Sequence, residues 1–142
     1  MSRRYLEYIR RKPRPTANFS GRRFLVVDDI AVNREIAAVI LRDTGAEVDF
    51  AEDGQECVER VTSMPADYYD LILMDLSMPV MDGLEATRRL RQMGTDLPII
   101  ALTSNVGRRD KQAALTAGMN AFVEKPIRRE QLFYAIRACM DA

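Results

Sequence analysis

Five short apolar runs punctuate the chain, and between them apolar positions recur at helical spacing. "RFLVV" (23–27) is a continuous β-rich run and predicts a first strand. Residues 31–43 follow as a helix with Val32, Ile36, Val39 and Ile40 on one face, stopped at Gly45. "AEVDFA" (46–51) alternates and predicts a second strand. "EDGQECVERVTSM" (52–64) predicts a helix with Cys57, Val58 and Val61 inward, ahead of Pro65. "YDLILM" (69–74), "LPIIALT" (97–103) and "NAFVEK" (120–125) predict strands three to five. Helices over 83–93, 108–118 and 129–140 fill the rest, with Gly118 as a C-cap and Leu132, Phe133, Ile136 and Cys139 or Met140 on the last apolar side. Strands alternating with helices imply a parallel sheet covered on both faces, with right-handed crossovers.

The strand endings carry the chemistry. Strand one ends in Asp28 and Asp29, strand three in Asp75, strand four in Thr103 and Ser104, and strand five in Lys125 before Pro126. In a parallel sheet these ends share one edge, where ligands bind at the point of strand-order reversal. Three carboxylates held together raise one another's pKa, and one lysine cannot neutralise three charges. A divalent cation can, and an all-oxygen site suits Mg²⁺, or Mn²⁺ in its place. Asp75 is therefore expected to be presented at the edge rather than buried. A carboxylate among Mg²⁺, an ammonium and a hydroxyl fits phosphoryl transfer, with Asp75 as nucleophile and Lys125 and Thr103 on the phosphoryl oxygens. Taken singly, Asp29, Asp53 and the Asp82-Gly83 pair also fit ordinary turn and cap roles.

Charge and composition narrow the class. The chain has 142 residues, room for one domain, and a net charge of zero. Residues 1–23 hold eight basic groups and one acidic, so a basic arm precedes an acidic domain. The arm, "MSRRYLEYIRRKPRPTANFS", offers a short helix face of Tyr5, Leu6, Tyr8 and Ile9, then a proline-bearing linker, and residues 1–22 are assigned to it. Residues 23–142 form the domain. No apolar run reaches a membrane span, and the N-terminus lacks the apolar core of a secretory signal. Cys57 and Cys139 fall in no metal-ligand spacing and read as free thiols in a reducing cytoplasm. The absence of histidine excludes Ser/His and Cys/His catalysis and a phosphohistidine of the chain's own.

From about Arg23 to Ala142 the sequence resembles the receiver domain of two-component response regulators. The resemblance rests on "LVVDD" (25–29), "LILMDLSMPVMDG" (71–83), "ALTSN" (101–105) and "EKP" (124–126), in that order. It implies a flavodoxin-like, doubly wound five-stranded sheet, order 2-1-3-4-5, with five helices. It implies Asp75 as phosphoacceptor, Asp29 binding Mg²⁺ directly, Asp28 acting largely through water, and the Ser77 backbone carbonyl as a further ligand. Thr103 becomes the switch hydroxyl, Phe122 the switch aromatic that turns inward, and Lys125–Pro126 a cis bond. Met78-Pro79 shapes the loop after the acceptor, and the side chains of Ser77 and Asn105 tune attack of water on the phospho-aspartate. The stretch 27–56, with Asn33-Arg34, looks most like receivers of hybrid histidine kinases and phosphorelays.

The partners so implied are a histidine kinase or histidine phosphotransfer protein as donor, and a downstream protein on the face of helix four, strand five and helix five. No nucleic acid is expected on the receiver, and no enzyme activity beyond Mg²⁺-dependent self-phosphorylation and slow self-dephosphorylation. With no output domain after the last helix, direct transcription control is not expected. The arm suits a linker from a kinase, and the chain's limits suit a free-standing regulator. An aspartyl-phosphate phosphatase of the haloacid-dehalogenase type wants an acid where Ser77 stands. The glycines form neither a dinucleotide fingerprint nor a P-loop. A pure interaction domain would bind its partner equally well without phosphorylation.

Overall fold

The computed structural model describes residues 2–4, 16–104 and 107–140. The apolar runs become β1 (Arg23–Val27), β2 (Glu47–Ala51), β3 (Leu71–Asp75), β4 (Ile99–Thr103) and β5 (Ala121–Glu124). They pair in parallel in the order 2-1-3-4-5, as expected. The helices are α1 (Ala31–Arg42), α2 (Gly54–Ser63), α3 (Gly83–Gln92), α4 (Arg108–Ala117) and α5 (Arg129–Met140). Asp53 and Asp82 cap α2 and α3, each accepting an N–H three residues on at 2.8 Å. Gly118 ends α4 at φ +109°, a left-handed cap that glycine adopts without penalty.

Because successive strand residues point to opposite faces, the sheet sorts its side chains by parity. Phe24, Val26, Leu71, Leu73, Ile100, Leu102 and Val123 face α1 and α5. Leu25, Val27, Ile72, Met74, Ile99 and Ala101 face the side carrying Cys57 and Val58 of α2, Leu90 of α3 and Ala114 of α4. Buried Leu and Ile side chains are each worth about 1.5–3 kcal/mol, so two such layers fix the strand order and register.

Two details depart from the sequence reading. Val32, Ile36 and Val39 face outward at 61%, 47% and 56% exposure, while Ala37, Ala38, Ile40 and Leu41 are buried. The small alanines let α1 lie close on the sheet, and the branched residues take the far side. Residues 16–22 are also more than a linker. Phe19 is buried, with its ring edge-on to Phe24 and Phe133 at centroid distances of 5.8 and 6.0 Å. Its N–H donates to the Thr44 carbonyl at 2.8 Å, and Arg137 of α5 donates to the Thr16 carbonyl at 3.0 Å. The packed unit thus starts before Arg23, because an aromatic ring caps the open end between α1 and α5. The expected helix of Tyr5, Leu6, Tyr8 and Ile9 lies outside the described residues.

Candidate functional site

The parity that builds the core also assembles the site. Continuing the even positions of β1 past Val26 puts Asp28 on the α1/α5 side. The odd positions of β3 put Asp75 there, and β5 extended by the Lys125 N–H to the Thr103 carbonyl (2.8 Å) does the same for Lys125. The Lys125 ammonium lies 3.0 Å from Asp28 Oδ2 and 3.3 Å from Asp75 Oδ1. One oxygen from each of Asp28, Asp29 and Asp75 lies within 4.8 Å of the others.

Asp75 is 6% exposed, so the expectation of a presented, unburied carboxylate needs correction. It forms the floor of the edge, with Lys125 as its counter-charge. Its Oδ1 also accepts weakly from the Ser77 N–H at 3.4 Å, while Oδ2 accepts from no described residue. Burial pushes the Asp75 carboxyl above the usual range, the Lys125 charge opposes this, and the Asp28 charge adds to it. Burial works to lower Lys125, but its hydrogen bond to Asp28 and the charges of Asp75 and Asp28 prevail and raise it. Asp28 is 1% exposed and has both oxygens engaged, Oδ1 by the Ile30 N–H at 3.0 Å and Oδ2 by Lys125. Asp29 is exposed, and its carboxylate accepts nothing among the described residues.

This donor set fits a small divalent cation. Among the described residues three carboxylates face one contacting ammonium, the ligands are all oxygen, and Asp29 is open to coordinate directly. Asp28, already satisfied on both oxygens, suits an indirect role through water. Ser77 is exposed, and its carbonyl accepts no hydrogen bond from described residues, which leaves it available to a metal.

Thr103 is buried at the end of β4, and Phe122 is half-buried and packed with the α2–α4 layer. The register Ala101↔Phe122 places both on the sheet face opposite Lys125. The fixed charges therefore sit on one side and the two expected switch residues on the other. Lys125–Pro126 is cis, as the resemblance implied. Asn105 lies outside the described residues.

Two features escaped the sequence reading. A small pocket beside the acid cluster is lined by Asp28, Asn33, Ile36, Lys125, Pro126 and Ile127, so outward-facing Ile36 borders the site. The second is Arg34, whose guanidinium donates to the Asp28 carbonyl at 2.7 Å. The signal for the first was an apolar α1 residue off the buried stripe, but nothing in the sequence showed which stripe was buried.

Known proteins are similar to this chain in sequence and in fold. The chain is 46% identical over 112 residues to a two-component response regulator of Oryza sativa subsp. japonica, covering 78% of this chain and 87% of that protein. It is 40% identical over 123 residues to hybrid signal transduction histidine kinase B of Dictyostelium discoideum, covering 78% of this chain but 6% of the kinase. Among solved structures, the receiver domain of a sensor histidine kinase of Pseudomonas aeruginosa PAO1 superposes with TM-score 0.78 at 35% identity, covering 87% of this chain and 100% of that one. That structure holds a magnesium ion coordinated in the active site cleft. The receiver domain of a Saccharomyces cerevisiae response regulator, solved with a histidine phosphotransfer signaling protein, superposes with TM-score 0.77 at 27% identity over 92% of each chain. Residues 24–137 match the response regulator receiver domain, and the chain belongs to that family.

Proposed function

We propose that this chain is a phosphoryl-accepting switch that takes its phosphoryl group onto Asp75 from a histidine kinase or a histidine phosphotransfer protein. The observation that carries the reading is the pairing of Asp75 and Asp28 with the single Lys125 ammonium, beside an open Asp29. Asp75 attacks phosphorus through its unengaged oxygen. The phosphorus–nitrogen bond of the donor phosphohistidine breaks as the acyl phosphate bond forms, and the imidazole leaves with the electron pair and takes up a proton. Lys125 offsets the charge developing on the phosphoryl oxygens, and Thr103 donates a hydrogen bond to one of them. Mg²⁺ bound by Asp29, Asp75 and the Ser77 carbonyl, with Asp28 behind it, would supply the remaining charge neutralisation.

The donor docks over the outer face of α1. Ile30, Val32, Ile36 and Val39 are exposed there, and Ile36 borders the pocket that Asp28 and Lys125 line. An apolar patch beginning at the rim of a charged site suits a protein that must bring its own reactive group to that rim. Phosphorylation draws Thr103 and Phe122 toward the site and changes the face of α4, β5 and α5. A groove there, lined by Lys111, Phe122, Glu130 and Tyr134, is offered to a downstream protein. The chain works in the cytoplasm, without nucleic acid, as a module that phosphorylates and slowly dephosphorylates itself. No helix among the described residues is long and apolar enough to cross a membrane.

The test is transfer of labelled phosphoryl from a phosphohistidine donor. Wild type takes the label and Asp75→Asn takes none. Ile36→Asp and Val39→Asp slow transfer from the protein donor at least tenfold while labelling by acetyl phosphate stays unchanged. Label retained by Asp75→Asn would contradict the assignment.

A further inference from the structure

The turn between β2 and α2 gives no ligand to the acid cluster, yet polar contacts tie it to both loops that do. On one side, Arg34 reaches from α1 with Nη1 donating to the Asp28 carbonyl at 2.7 Å and Nη2 lying 3.6 Å from Glu52 Oε1. The Asp28 N–H donates to the Ala51 carbonyl at 3.2 Å. On the other side, the Gly54 N–H donates to the Met81 carbonyl at 2.9 Å. Gly54 is glycine for want of space. A methyl group there would lie 2.5 Å from the Met81 carbonyl oxygen and 2.9 Å from that of Asp82.

The loop thus gripped is the one that carries Ser77. It is closed on itself by the Gly83 N–H to the Leu76 carbonyl at 3.1 Å and the Met81 N–H to the Pro79 carbonyl at 2.7 Å. Between them Val80 is held at φ +68°, which a β-branched residue adopts only when its surroundings impose it. Met81 supplies that anchor with its buried side chain. Asp28 and Asp75 are placed by the β1–β3 ladder, whose last pair is Val27↔Met74. Asp29 and Ser77 lie beyond the ladder on separate loops, so something other than the sheet must set their spacing.

We propose that residues 51–54 together with Arg34 form a brace that sets this spacing, and thereby the affinity of the carboxyl-edge site for a divalent cation. This rests on the reading of that edge as a Mg²⁺ site. Mg²⁺ demands near-octahedral ligands at about 2.0–2.1 Å and tolerates little drift between loops. Arg34 and Gly54 are positioning residues: neither offers an oxygen side chain to the cation, and each holds a loop that does.

The sign of one substitution separates the brace from simple electrostatics. A guanidinium near three carboxylates repels a cation, so removing its charge alone would tighten binding. The experiment is calorimetric titration of Mg²⁺ into the full chain, with thermal unfolding to establish that each variant is folded. Arg34→Met and the charge-neutral Gly54→Ala each weaken Mg²⁺ about tenfold, the effect typical of lost outer-shell support. Acetyl phosphate labelling of Arg34→Met recovers toward wild type at saturating Mg²⁺. If Gly54→Ala does not fold, Arg34→Met carries the test alone. Tighter Mg²⁺ binding by Arg34→Met, or affinities within twofold of wild type in folded variants, would overturn the brace. A wild-type chain that binds no Mg²⁺ at all would instead overturn the metal reading itself.

Discussion

At the amino edge of the sheet, Arg22 lies 3.3 Å from Asp70, Arg23 pairs with Glu47 and lies 3.6 Å from Asp49, and the Tyr69 hydroxyl donates to Asp49 at 2.9 Å. At the carboxyl edge, three carboxylates gather and one ammonium contacts two of them. Arg22, Arg23, Glu47 and Asp70 collect charge for the same reason as the acids of the carboxyl edge, because strands end where apolar burial ends, and Asp49 joins them from the middle of the outer strand β2. The two edges differ in balance. At the amino edge two guanidiniums and a tyrosine hydroxyl give each of the three acids a donor, so the contacts hold strand ends together and no ligand is called for. Where charge is left over and partly buried, the fold is carrying a cost that only a ligand relieves. Imbalance, more than the mere presence of acids, marks the functional edge.

The largest effect that sharpens this contrast comes from Lys125→Met. It leaves Asp28, 1% exposed, beside Asp75 with no cation between them. Breaking a buried pair costs about 3 kcal/mol, so the metal-free protein loses that stability in urea unfolding, and added Mg²⁺ returns part of it. An unchanged unfolding midpoint would mean that Lys125 balances nothing.

A smaller effect of opposite sign follows at Asp75. Burial raises its folded pKa above that of the unfolded chain. Its contribution to stability is therefore present at low pH and is lost as the pH rises through its folded value. At neutral pH the ionised group is a net burden on the metal-free fold. Asp75→Asn then raises Tm by roughly 2–4 °C at pH 7, and the gap closes as the pH falls and wild-type Asp75 protonates. A less stable Asp75→Asn at pH 7 would contradict this.

The smallest effect belongs to the amino edge. Arg23 is partly exposed, faces two carboxylates and stacks 4.4 Å over the Tyr68 ring. Arg23→Met costs about 1 kcal/mol, since exposed pairs and cation–π contacts are individually weak. Its Mg²⁺ affinity and labelling by acetyl phosphate stay at wild-type values. A change in either would show that the two edges are coupled, and the contrast between them would fail.

How much of this was legible beforehand depended on how many answers each pattern allowed. Buried parallel strands are apolar on both faces, so "LVV", "LILM" and "IIALT" announced themselves, and the acids ending them could lie only at one edge. The parity that unites Asp28, Asp75 and Lys125 was implicit in the same strands. The existence of α1 was legible but its buried face was not, because the helix is apolar on two faces and spacing cannot say which one meets the sheet. Phe19 was hidden in a polar, proline-bearing stretch whose packing is wholly tertiary. The grip of Gly54 on the Met81 carbonyl joins residues from different loops, and an isolated glycine at a helix start carries no trace of what approaches it.

The proposed role of the carboxyl edge, a Mg²⁺-dependent phosphoacceptor centred on Asp75, stands or falls on one reaction. Intact-protein mass spectrometry after incubation with acetyl phosphate, with and without Mg²⁺, on wild type and Asp75→Asn, tests it most directly. A single phosphoryl adduct is expected on the wild type with Mg²⁺, none without the metal, and none on Asp75→Asn. An adduct that persists in Asp75→Asn, or that forms equally well without Mg²⁺, would contradict it.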